Sequence, residues 1–234
     1  MRVTDGQLFH RISTATQKAR MKLEGVSEPL MTGESISRPS QDPLKAQRIE
    51  RARRAERRAS QYDSNISRAQ VYHQVVETST MQVVDILGQM QTLSIMMAND
   101  GIDPGALKAA ATEVDRLMDG LKSMANAKHD GRYIFAGRSQ DKPAYDENNV
   151  FVGDAVGRTV QIGDGQTITA DVPGLVLFGD PADGPTAFDV ALAFKEALES
   201  GDNSAIQESI SALKDAHERS TLALTQIGFV LKDL

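Results

Sequence analysis

Cysteine occurs nowhere in the 234 residues, which excludes disulfide staples and thiolate metal sites. Tryptophan is absent as well and aromatics make up only 5% of the chain, so packing falls to Leu, Ile, Val, Ala and Met, as in long helical seams. No apolar run approaches the ~20 residues of a bilayer span. The stretch Met1 to Gln7 lacks the apolar core of a cleaved secretory signal, leaving the cytoplasm or export by a machine that reads an uncleaved terminus. Catalytic signatures are missing too: there is no Gly-x-Ser-x-Gly, no Walker loop and no His-Glu-x-x-His pair. The histidines, at positions 10, 73, 129 and 217, fall in different elements. His73 and His217 take seam positions of the kind from which two imidazoles meet a metal across a bundle, but no Glu-x-x-His accompanies them, and partly exposed seam histidines are the simpler reading. Asp154, Asp164, Asp171, Asp180 and Asp183 are scattered among turns, without the alternate spacing a calcium loop needs. The expectation is a protein that is not an enzyme, with no metal and no cofactor.

What the chain does have is charge asymmetry. The net charge is -6, yet residues 1–60 hold 13 Lys/Arg against 7 Asp/Glu, and the remainder holds 13 against 25. A chain basic at one end and acidic at the other favours head-to-tail contacts between copies.

Residues 7–30 place Phe9, Ile12, Ala19, Leu23, Val26 and Leu30 at spacings of three and four interrupted only by Thr16, a seam too narrow to bury itself and suited to a partner helix. Gly25 and Pro29 are expected to fray or kink this arm near Glu28, and the arm is expected to be mobile when alone. Next comes Ser37-Arg38-Pro39-Ser40-Gln41-Asp42-Pro43. Two prolines four residues apart make a stiff elbow, and Asp42 is placed to cap the helix that Pro43 opens.

From Pro43 one long helix is expected to about Asn99, with a seam through Tyr62, Ile66, Ala69, His73, Val76, Thr80, Val83, Leu87, Met90, Ser94 and Met97, and a second stripe through Tyr72, Val75, Ile86 and Leu93. Asn99-Asp100-Gly101 stops it and Asp103-Pro104 starts another, seamed by Leu107, Ala110, Val114, Leu117, Leu121 and Met124. So short a link makes the two antiparallel. Beyond His129-Asp130-Gly131 the period becomes strand-like: Arg132–Ala136, then 158–162 and 166–172 around Gly163-Asp164-Gly165, then a run over 175–178, with thirteen Gly or Pro between 131 and 185. Thr186 caps a helix bearing Phe188, Ala191, Leu192, Phe194 and Leu198. The last helix carries Ile206, Ile210, Leu213, His217, Ser220, Leu224, Ile227, Leu231 and Leu234, a seam expected to run unsatisfied off the end. The fold class is mainly α: an elongated antiparallel helical bundle (44–130 and 186–234) with a small β-rich insert (131–185), preceded by an arm and elbow (1–43).

Cation is densest at Lys45, Arg48, Arg51, Arg53, Arg54, Arg57 and Arg58, on two sides of one helix. Phosphate neutralisation by nucleic acid or an acidic membrane is one use for such a patch. No aromatic is interleaved to stack on bases, and the acidic remainder repels polyanions. A solvated helix start or a contact with an acidic subunit through Arg48, Arg51, Arg54 and Arg58 is favoured, with neither nucleic acid nor membrane as partner.

The arm, the Pro-Ser-x-Asp-Pro elbow, the helix hairpin, the run Asn126-x-x-x-x-Gly131-Arg132-Tyr133-Ile134-Phe135-Ala136-Gly137, then Val160-Gln161-Ile162-Gly163, Val172-Pro173-Gly174 and Phe178-Gly179 together resemble the hook-associated protein 3 family of the flagellin superfamily, the hook–filament junction proteins of bacterial flagella. The resemblance covers nearly the whole chain. It implies a structural, extracellular flagellar part exported unfolded by the type III apparatus, assembling as a ring of copies between hook-associated protein 1 and the first flagellin subunits. It also implies that Phe9, Ile12, Leu23 and Val26 form an axial subunit-packing seam, and that Pro39, Ser40, Asp42 and Pro43 join two layers; the unsatisfied spacing of the last helix adds Leu224, Ile227 and Leu231 as expected subunit-packing residues. After Ile227-Gly228-Phe229-Val230-Leu231 family members continue into a further long stretch, whereas this chain stops at Leu234, so a shortened chain or a naturally short relative is expected. An export chaperone is an implied partner, but its docking belongs to that further arm and is not carried onto residues here. Two rival readings are a flagellin filament subunit, whose N-terminal region would be richer in Asn and Gln, and a cytoplasmic helical nucleic-acid-binding protein resting on Lys45 to Arg58.

Overall fold

The computed structural model describes residues 3–32, 40, 42–99 and 101–233, and the side chains of these except 3–5, 28–30, 32 and 231–233. The elements are α1 (Val3–Thr32), α2 (Pro43–Met97), α3 (Pro104–Ala125), β1 (Lys128–His129), β2 (Arg132–Tyr133), β3 (Thr159–Gly163), β4 (Gln166–Thr169), α4 (Gly174–Phe178), α5 (Ala187–Ser200) and α6 (Asn203–Asp233). The chain divides into two units, 1–60 and 61–234.

In the first unit, no described residue is buried. Helix α1 continues through Gly25 and Pro29 to Thr32, so the arm does not fray at Glu28. A proline removes one backbone donor, and the turns on either side retain theirs. Helix α2 opens as its composition dictates: Pro43 is its first residue, and the Asp42 carboxylate accepts from the Lys45 amide at 3.0 Å while its carbonyl accepts from Ala46 at 2.9 Å.

In the second unit, the buried face of α2 is Ala69, His73, Val76, Ser79, Thr80, Val83, Leu87, Met90 and Ser94, spaced by threes and fours apart from the adjacent Ser79–Thr80 pair, and the expected seam from Ala69 to Ser94 lies wholly within it. Helix α3 starts at an Asp103 cap, whose side chain accepts from Gly105 N, and buries Ala110, Ala111, Val114, Leu117, Leu121 and Ala125. Gly120 stands against Ile86, while Glu113 and Leu117 line the same hollow as Leu93 and Met96. Falling numbers on α2 thus meet rising numbers on α3, the antiparallel hairpin expected. Gly88 against His217 and Glu77 near Gly228 give the same sense for α2 and α6.

The β-rich segment is two small antiparallel hairpins. In the first, Lys128 faces Tyr133 and His129 faces Arg132 across Asp130 (φ 48) and Gly131 (φ 77), the two left-handed residues such a turn requires. The strand expected over 132–136 ends at Tyr133; Ile134, Phe135 and Ala136 instead drop into the core. In the second, β3 and β4 pair around Asp164-Gly165 with a shift between Gln161 and Gly163. Leu175–Phe178 is not a strand but the body of α4, which begins after Pro173. A four-residue apolar run fits either period, and the proline that fixes φ at the helix entry decided it.

Core and insert are continuous. Tyr145 and Phe178 from the insert meet Phe188 of α5, with Phe178 and Phe188 stacked at 5.4 Å, Tyr145 5.2 Å from Phe178, and Phe135 edge-on to Phe178 at 5.9 Å. Gly137 (φ 61) lies where a Cβ would come within 1.9 Å of the Asp154 carbonyl, so only glycine lets the two backbones meet. Helix α5 is started by a reciprocal cap between Thr186 and Asp189 and stopped by Gly201 in the left-handed conformation. Leu192, expected on its core face, is 45% exposed.

Candidate subunit-packing surface

Helix α1 gives its apolar residues no cover. Phe9 is 75% and Leu23 71% exposed, and Leu8, Ile12, Met21 and Val26 are exposed as well. Phe9, Ile12, Leu23 and Val26 fall on one ridge because intervals of three, eleven and three residues are close to whole turns of a 3.6-residue helix. Thr16 interrupts it with a hydroxyl that donates to the Ile12 carbonyl at 2.8 Å, keeping the polar group within the helix.

Of the elbow residues, Pro39 lies outside the described residues, Ser40 sits exposed in a turn, and Asp42 and Pro43 build the start of α2 as above. Arg48, Arg51, Arg54 and Arg58 are all exposed on α2, with Arg53 3.6 Å from Glu50 on the same surface.

Near the C-terminal end the placement differs from expectation. Ile227 is 2% exposed and belongs to the chain's own core, with Leu224 half-buried beside it and the Leu231 side chain outside those described. The buried face of α6 is Ile206, Ser209, Leu213, Ala216, Ser220, Ala223 and Ile227. It therefore holds Ala and Ser where the sequence suggested Ile210, His217 and Leu224. The Ser220 hydroxyl donates to Leu177 O at 3.0 Å, so α4 approaches α6 over small side chains. This seam is covered within the chain down to Ile227, against the expectation that it lacks cover, and Leu231 and Leu234 lie outside the residues whose side chains are described.

A polar junction that the sequence did not disclose joins α2 to the insert. The carboxylate of Asp171 has no solvent exposure and takes the Arg158 guanidinium through Nε at 2.8 Å and Nη2 at 3.1 Å, the Arg158 amide at 3.1 Å and Gln140 Nε2 at 3.0 Å. The carboxylate beside it holds the Arg158 pKa above its ordinary value. On α2, Tyr72 donates to Ile134 O at 2.9 Å, and burial, reinforced by Asp171, raises its pKa. His73 is buried with both ring nitrogens unpartnered, and that burial lowers its pKa. Higher on α2, Tyr62 donates to Asp164 Oδ1 at 2.9 Å and Asn65 Nδ2 to Gln161 O at 2.8 Å, pinning the second hairpin to the helix. The one sequence signal for this junction was Asp171, set between Ala170 and Val172 just before Pro173.

Chemically the arrangement positions and fastens. Among the described residues no three His, Asp or Glu gather where they would hold a metal ion, and no helix is long and apolar enough to cross a membrane.

The profile of the bacterial flagellin N-terminal helical region matches residues 9–140. The flagellar hook-associated protein 3 of Escherichia coli (strain K12) is 25% identical over 157 residues, covering 66% of this chain and 50% of that protein. The chain therefore spans half the length of that curated relative. Among solved structures, one assigned as a flagellar hook-associated protein from Vibrio parahaemolyticus superposes with a TM-score of 0.76 at 22% identity, covering 84% of this chain and 90% of that one. The flagellar junction protein FlgL from Legionella pneumophila gives 0.68 at 13% identity, covering 80% and 98%. The bundle with its insert is thus the fold of these flagellar proteins.

Proposed function

Because this chain belongs to the family of the bacterial flagellin N-terminal helical region, we propose that it is a structural subunit of the bacterial flagellum, placed as a ring of copies at the hook–filament junction. The observation that carries this reading is the uncovered ridge of α1. A ridge of Phe9, Ile12, Leu23 and Val26 is stabilised when buried against another helix, at roughly 25 cal/mol per Å² of apolar surface, and repetition around a ring multiplies a contact worth several kcal/mol before ordering costs. The elbow at Ser40 to Pro43 turns the chain from that layer into the next, and Arg48, Arg51, Arg54 and Arg58 face acidic neighbours. Hook-associated protein 1 on one side and flagellin on the other are the partners, reached through the export apparatus with its chaperone.

The matched profile is that of flagellin itself, which keeps a filament role as the second reading. Expression of a labelled chain in a flagellated bacterium lacking its own hook-associated protein 3, followed by electron microscopy of isolated flagella, separates the two. Label confined to the hook–filament boundary is the expected result. Label along the filament transfers the chain to the filament role, and label confined to the cell body overturns both.

A further inference from the structure

A groove of about 700 Å³ runs between α2 and the insert in the second unit. Its floor is apolar, with Ala69, Val160 and Ala170, and its rim carries Arg68, Arg132 and Arg158 against a single lining carboxylate, Asp130. Arg158 is held by Asp171 with its side chain still 41% exposed. Arg68 and Arg132 are exposed, and among the described residues neither has a carboxylate within ion-pair distance. The register of the first hairpin sets His129 beside Arg132, adding a second donor to the same wall. This is a cationic site within residues 61–234, which together carry 25 acidic against 13 basic residues.

A second hollow, of about 540 Å³ and sharing no residue with the first, lies between the turn after α4 and α6, and is lined by Asp180, Asp183 and Asp215 against Arg219. Asp180 shapes its own turn by accepting from Ala182 N at 2.9 Å, which leaves Asp183 projecting at an exposed corner. Arg219 is directed inward, under Gly179 and toward Pro185 O, so the carboxylates dominate the rim.

We propose that the Arg68–Arg132–Arg158 groove receives the Asp180–Asp183 turn of a second copy of this chain. This deepens the reading above, on which it rests, by naming one contact between neighbouring subunits. The two surfaces are different patches of one molecule with opposite charge, so the contact is head-to-tail and propagates from copy to copy, as a ring requires and a two-fold dimer does not. Guanidinium groups on an apolar floor suit it: their planar forks match carboxylates, and the floor accepts Pro181 and Ala182 between them. Opposite charges steer encounter and set register, and like charges placed there are strongly disfavoured.

The absence of native cysteine makes the test clean. Flagella are isolated from cells expressing the full chain with S67C and A182C together, and with each alone, and are oxidised; both positions are exposed, and neither carries a charge of the proposed contact. The expected result is a ladder of cross-linked copies with the double variant only. Adding R68E to that background lowers ladder yield by about tenfold or more, and adding D215K to this restores it. If the unsubstituted chain is present in the flagellum but no ladder forms, or either single variant forms it equally, or the cross-link joins a different flagellar protein, this inference is overturned while the structural role stands. If the unsubstituted chain is absent from the flagellum, both fall together.

Discussion

Asn126, the residue after α3, holds the backbone of Tyr145 as a strand partner would: its Nδ2 donates to Tyr145 O at 2.9 Å and its Oδ1 accepts from Tyr145 N at 3.0 Å. One side chain thereby replaces two ladder bonds and sets Tyr145 among Phe151, Phe178 and Phe188. Asn126→Ala should lower the free energy of unfolding by about 1–3 kcal/mol, because it strands a buried amide and carbonyl. Asn126→Asp keeps the shape but loses the donor, and should also destabilise. Urea titration followed by circular dichroism reads both.

Asp171 is the most heavily bonded carboxylate described, with four donors and no exposure. Asp171→Ala should cost about 3–5 kcal/mol, since it breaks the ion pair and leaves the buried Gln140 amide and the Arg158 backbone N–H without an acceptor. Arg158→Met should cost less, because that side chain is partly solvated and its removal leaves Gln140 and the Arg158 amide still bonded to the carboxylate. A ranking in the opposite order would show the junction to be held by the cation.

Burial lowers the His73 pKa below its ordinary value of 6.5, against smaller opposing effects of the Thr169 backbone and Asp171. The unfolded chain therefore takes up a proton more readily than the folded one. The stability associated with a neutral His73 is fully present above pH ~6.5 and falls as pH drops through the window below it, at up to about 1.4 kcal/mol per pH unit. His73→Leu should flatten that slope between pH 6.5 and the folded pKa, measured by denaturant midpoints across pH. An unchanged slope would assign the acid sensitivity to other groups.

Gly137→Ala should be among the most damaging single-methyl additions, since the new Cβ would meet the Asp154 carbonyl from a left-handed backbone. A loss of several kcal/mol, or failure to accumulate soluble protein, is expected, whereas Gly165→Ala at the open hairpin tip should be much milder because nothing lies within 4 Å of its Cβ position.

The helices were legible because one interaction, burial of a stripe, controls them. Ala69, His73, Val76, Val83, Leu87 and Met90 repeat at helical spacing and are buried. Asp103 and Thr186 act locally, and each starts its helix where the sequence placed it. The face of α6 was misjudged by a fraction of a turn, since hydrophobicity favours Ile210 and Leu224 whereas the buried positions are Ser209, Ala216 and Ala223, around the expected Ser220 that bonds to α4. The Asp171–Arg158–Gln140 junction was out of reach because its partners are far apart in sequence and no period links them. The α1 ridge was readable for the opposite reason: Phe9, Ile12, Leu23 and Val26 find no cover within the chain, so the pattern survives folding unaltered.

That ridge is where the account is most exposed. Ile12→Asp and Leu23→Asp, each made in the full chain, should leave the urea midpoint of residues 61–234 unchanged, because neither side chain joins the core. Quantified by immunoblot of isolated flagella, each variant should be depleted at least tenfold relative to the unsubstituted chain, since a carboxylate replaces an apolar contact at every repeat. Variants that incorporate as fully as the unsubstituted chain would contradict the claim that copies assemble through this helix.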